Sequence, residues 1–154
     1  MGRQMKRALL ISVKPRYARA ILEGRKTVEV RRRFPEVPPG TTVVLYSSSP
    51  ERAVLGTVRL KQTITVPSDR VWEMHSSAID IAEDALGEYL EGAEDSTLLE
   101  VEDPQTWARP VSLTSLRALL GLEPPQSFRY LDADQVALIA TSGANSTHST
   151  GPSQ

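Results

Sequence analysis

The sequence predicts an α+β fold, a small mixed β-barrel flanked by short helices. Apolar, β-branched segments recur along the chain, short helical signals fall between them, and the first helix lies between the first two strands. A length of 154 residues suits one domain with a modest core, because two separate cores would each be small for their surface.

Residues 8–13, ALLISV, are apolar and β-branched enough for a buried strand. Residues 15–23 then predict a short helix: Pro15 stands at its first position, Ala18, Ile21 and Leu22 make an apolar face, and Gly24 stops it. Lys14 falls at the N-cap, where its side chain cannot accept from the first-turn amides. Free amides beside Lys14 and Arg16 offer an anion site, with water as the plain alternative. The stretch KTVEVRR alternates with period two, placing Val28 and Val30 on one face and Thr27, Glu29, Arg31 and Arg33 on the other. Two more strands are expected at 42–49 and 53–66 after the turn PEVPPG. Helices are expected at 67–76 and 80–91, the second with Asp80 and Glu83 as a capping box and Ala82, Ala85, Leu86, Tyr89 and Leu90 as its apolar stripe. DSTLLEVED reads as a further strand, and Leu113, Leu116, Leu119 and Leu120 before Gly121 as a further helix. Residues 1–140 thus form the domain, and residues 141–154, small and polar without periodicity, read as a disordered tail.

Charge is distributed unevenly. Residues 1–33 sum to +9 and the remaining 121 to −10, and no Lys or Arg occurs between Val71 and Ala108. Either the two segments form a basic and an acidic face, the basic one suited to phosphates, or they pack together and neutralise each other. Cysteine is absent, which removes disulfides and thiolate metal sites and makes a reducing, cytoplasmic setting the expectation. His75 and His148 are too few and too far apart to suggest zinc, so no metal or cofactor is expected. Apolar runs are too short to span a membrane, and Lys14, Arg16 and Arg19 interrupt any signal-peptide pattern.

The decamer GRKTVEVRRR concentrates five basic residues around one carboxylate. Glu29 and Arg31 share a strand face, where they can pair with each other or hold a ligand jointly. Arg31 can grip a phosphate with two donors, and Lys26, if buried beside Arg31, would lose basicity and become available as a general base. The alternative is a solvated charged strand. Ser47, Ser48 and Ser49 have no histidine or aspartate placed to make a triad, and no P-loop, dinucleotide fingerprint or HExxH occurs. Trp72 and Trp107 are expected to pack rather than stack on bases, and His75 to be structural.

Residues 24–31 match GxKxxExR, and this stretch resembles the signature of the ASCH domain, a relative of the PUA domain that shares its small β-barrel. The blocks ISVKPRYARAILEGRKTVEVRRR, VVLYSSSPERAVLGTV, GEYLEG and PPQSFRYLD extend the resemblance over about residues 8–133. It implies a PUA-like barrel with a cleft lined by Lys26, Glu29 and Arg31 that binds RNA or a modified nucleotide. It also makes Gln126, Ser127, Arg129 and Tyr130 candidates for the cleft wall, with a structural clamp as their alternative; Tyr130 would stack on a base and Arg129 contact phosphate. Lys14, Arg16, Arg25 and Arg33 would add phosphate affinity. The enzymatic alternative is a metal-independent ribonuclease or a modified-nucleoside amidohydrolase using Lys26. Amidohydrolase relatives carry a threonine three residues after the lysine, where this chain has Glu29.

Overall fold

The computed structural model describes residues 7–150, with side chains to residue 143. Strands β1 (Ala8–Val13), β2 (Val28–Arg31), β3 (Thr42–Ser47), β4 (Ala53–Pro67), β5 (Asp95–Ser112) and β6 (Phe128–Leu131) are interleaved with helices α1 (Pro15–Leu22), α2 (Val71–Ile79), α3 (Glu83–Leu90), α4 (Leu113–Leu120) and α5 (Ala133–Thr150). The strands form one sheet in the order β2-β5-β4-β3-β1-β6. β1 and β3 run parallel, as expected when a helix connection intervenes, and every other pair is antiparallel. The mixed α+β class is as expected, but the barrel is not closed: β2 and β6 are sheet edges that do not pair.

Period-two alternation divides the core. Leu9, Ile11 and Val13 of β1 join Leu45, Leu60, Leu99 and the α1 residues Ala18 and Ile21 in one cluster. Ala8 and Leu10 point the other way, into a second cluster covered by Leu116 of α4 and Ile139 of α5. A third cluster lies under α2 and α3, where Val71, Ile79, Leu86 and Leu90 meet Val28, Val30 and Leu98. The β2 valines therefore anchor the α2–α3 layer, while their neighbours Glu29 and Arg31 face the Leu99 side. All four residues of β2 are buried, so the charged face is not solvated.

Helix α1 begins at Pro15 and is followed by Gly24 at φ +83°, as its sequence requires. That left-handed residue turns the chain back: the Arg25 and Lys26 amides both donate to the Ala20 carbonyl, at 3.0 and 3.1 Å, which aims Lys26 inward. The expectation of free first-turn amides is corrected in part, since those of Tyr17 and Ala18 both donate to the Lys14 carbonyl. The capping box at Asp80 does not form. Asp80 ends α2 in the left-handed region and pairs with Arg25, while Ala82 takes the N-cap position of α3 without a side-chain cap.

Helix α5 continues past residue 140 to Thr150. Val136, Ile139 and Gly143 follow helical i, i+3, i+7 spacing and dock on the second cluster, and composition alone conceals this stripe. Residues 151–154 lie outside the described residues. Among the described residues no helix is long and apolar enough to cross a membrane.

Gly143 reports on the docking of α5, since a Cβ there would lie 2.4 Å from the Trp107 ring. Gly143→Ala should destabilise the fold by about 1–3 kcal/mol. Gly87→Ala, in α3 with open space around it, should instead stabilise by about 0.5–1 kcal/mol. Urea midpoints of the two variants check both signs.

Candidate functional site

Three charged side chains of the decamer form a buried chain of contacts. The Lys26 ammonium is fully buried, donates to the Ile79 carbonyl at 2.6 Å, lies 3.5 Å from Glu29 Oε1 and sits 5.0 Å above the Tyr17 ring. Glu29 Oε2 accepts from Arg31 Nε at 3.0 Å. The Arg31 guanidinium then reaches across the open side of the sheet, donating to the Ser12 carbonyl at 2.9 Å and to Ser127 Oγ at 3.3 Å. It bridges β2 to the end of β1 and to the residue preceding β6. Burial lowers the Lys26 pKa from its ordinary value, and the Glu29 carboxylate opposes that shift.

Above this chain opens a cleft of about 840 Å³. Its floor holds Glu29 and Arg31; its walls come from the β1–α1 junction (Ser12, Lys14, Tyr17), the end of β3 (Tyr46, Ser48), the turn residue Arg52, α3 (Ala85, Glu88, Tyr89) and the loop Pro124–Gln126. Ser12 donates its hydroxyl to the Pro125 carbonyl at 2.6 Å, which fixes that loop beside β1. A second recess of about 590 Å³ adjoins the cleft and shares Arg31, Tyr89 and Gln126 with it.

The expected site residues separate accordingly. Lys14, Glu29, Arg31 and Gln126 line the cleft, and Arg33 and Ser127 line the adjoining recess. Lys26 lies beneath Glu29, outside the cleft lining. Arg16 stands outside on α1, its guanidinium 5.4 Å from the Tyr17 ring centre. Tyr130 packs on the first core cluster, edge-on to Phe128 and beneath the Arg7 guanidinium at 4.1 Å, so it does not wall the cleft. Neither does Arg129, the next residue back along β6, whose buried Nε has no hydrogen-bond partner among the described residues. Alternation along β6 explains both positions: it commits Phe128 and Tyr130 to the core.

Tyr17, Tyr46, Arg52, Glu88 and Tyr89 are cleft residues that the sequence did not single out as ligand-binding. Arg52 has φ +53°, rare for a residue with a side chain, and is held there by its amide donating to Ser48 and its carbonyl accepting from Leu113. Tyr46 ends a strand whose alternation is legible, but its place beside Arg52 is not. Burial raises the Tyr46 pKa, with Arg52 and Arg117 acting against the rise, so its hydroxyl stays protonated at neutral pH. Trp72 and Trp107 pack on core clusters.

Residues 11–105 match the ASCH domain. The chain belongs to the ASCH domain family. This ASCH protein is similar to an ASCH domain-containing ribonuclease of Zymomonas mobilis subsp. mobilis, at 29% identity over 133 residues, covering 86% of this chain and 89% of the relative. The crystal structure of ASCH from Zymomonas mobilis matches with a TM-score of 0.83 at 28% identity, covering 87% of this chain and 94% of that one. Human THYN1, solved in complex with DNA containing 5-methylcytosine, matches at 0.57 with 11% identity over 90% of this chain and 98% of its own, a likeness of fold alone.

The lowered pKa of Lys26 has a stability consequence of definite sign. The unfolded chain holds that proton more tightly, so between the depressed folded value and 10.5 the Lys26 contribution to stability rises with pH. The melting temperature of the wild type relative to Lys26→Met should therefore improve as pH approaches 10.5. A difference that fell with pH would mean that Glu29 overrides the burial.

Proposed function

We propose that this ASCH protein binds single-stranded RNA in the cleft and cleaves it, as a ribonuclease. The carrying observation is the composition of the cleft: a floor in which the Arg31 guanidinium is fixed by a buried carboxylate, with two rim cations, Lys14 and Arg52, that form no ion pair among the described residues. A phosphodiester seated there meets fixed positive charge in a partly dry site, where developing negative charge is best stabilised. The near full-length similarity to a ribonuclease supports the same reading.

The cleft also carries groups suited to attack by the RNA's own 2′-hydroxyl. Glu88 is a carboxylate able to take the proton of that hydroxyl. Tyr46, whose hydroxyl is protonated at neutral pH, can donate to the departing 5′-oxygen. Lys26, beneath the floor, serves as a positioning residue that holds Glu29 and, through it, Arg31.

The test is incubation of the purified protein with labelled single-stranded RNA, with and without EDTA, reading retardation and cleavage together. Binding should weaken with salt. Arg52→Ala should cut turnover by about a hundredfold. Tyr46→Phe should lower turnover by about a hundredfold or more while leaving retardation nearly intact. Retardation without cleavage would reduce the function to RNA binding; the absence of both would overturn the reading.

A further inference from the structure

The recess beside the cleft has a composition that the cleavage chemistry does not use. Its wall at the exit of β2 carries Arg33, which is exposed and in no ion pair among the described residues. Alongside it, where the antiparallel partner strand β5 begins, stand the exposed carboxylates Glu94 and Asp95. The neighbouring Arg32 is already occupied, donating to the Tyr89 and Glu91 carbonyls at 3.0 and 2.7 Å and so fixing the end of α3. Tyr89 lines both cavities and is 43% exposed, an aromatic surface left uncovered at their junction. Gln126 likewise lines both.

Cation, aromatic and carboxylate are three separate chemistries within one recess, and a nucleotide matches all three. Its phosphate suits Arg33, its base suits the Tyr89 ring, and the two carboxylates suit an exocyclic amino group, which offers two N–H donors where a ring N–H offers one. Uracil has no exocyclic amine; cytosine, adenine and guanine each have one. We propose that this recess is a second nucleotide subsite, continuous with the cleft over Tyr89 and Gln126, that selects an amino-bearing base through Glu94 and Asp95. The inference rests on the RNA-binding reading of the cleft. It makes the ligand a strand of at least two nucleotides rather than a free mononucleotide.

Fluorescence anisotropy with 2′-fluoro hexamers of cytidine and uridine, which lack the attacking hydroxyl, tests the subsite, with cytidine monophosphate as competitor. The cytidine hexamer should bind at least about fivefold tighter than the uridine hexamer. That ratio should fall toward one in the Glu94→Ala, Asp95→Ala double variant, even if loss of two negative charges tightens both hexamers. Arg33→Ala should lower the slope of log affinity against log salt by about 0.7, the loss of one phosphate contact on a single strand. A wild-type ratio near one, a ratio untouched by the double variant, or a monophosphate that binds as tightly as the hexamers would overturn the subsite and leave the cleft reading standing. Failure of every hexamer to bind would sink the cleft reading itself.

Discussion

The contact chain Lys26–Glu29–Arg31 is the constraint around which this domain is arranged. Its sheet is nearly a barrel, yet β2 and β6 leave a gap that no backbone ladder closes. Arg31 spans that gap with its guanidinium, contacting Ser12 and Ser127. A buried guanidinium is tolerable only when its charge and donors are matched, and Glu29 provides the matching carboxylate. Glu29 in turn accepts a second cation from below, Lys26, which also donates to the Ile79 carbonyl. Removing Glu29 would leave two buried cations without compensation. The three residues act as one structural unit that happens to end in a cavity.

That unit is set in a segment whose charges are partly paired. Much of the basic N-terminal segment is already spoken for: Arg19 pairs with Glu51, Arg25 with Glu23 and Asp80, and Arg32 with the carbonyls that end α3. The acidic half therefore neutralises part of the basic third, and neither extreme of two separate faces or complete cancellation holds. Some cations at the cavities stay open. Lys14 and Arg52 remain at the cleft rim and Arg33 at the recess, each without an ion pair among the described residues. These three cations face two adjoining cavities.

The helix layers perform a supporting task. Val28 and Val30 hold β2 to α2 and α3, and α3 brings Glu88 and Tyr89 to the cleft edge. The Arg52 turn, held between Ser48 and Leu113, delivers a cation from the opposite side. Walls from α1, α3, the β3–β4 turn and the loop before β6 thus converge from distant parts of the sequence.

By itself, the sequence determined the elements whose causes are local. Pro15 and Gly24 bound α1, alternation set the faces of β1 and β2, and Gly121 ended α4 in the left-handed region. The spacing of Lys26, Glu29 and Arg31 was equally legible, because two of them share a strand face and the third follows a glycine turn. Tertiary structure alone decided which face of β2 would be dry on both sides, that Lys26 would lie below the floor, and that Tyr130 would join the core. It also decided that Tyr46 and Arg52 would face the same cavity, and that α5 would run past residue 140 onto Trp107. Periodicity reports which side chains share a direction, but not what packs in that direction. Burial, and with it the chemistry of each charge, is fixed only when distant segments meet.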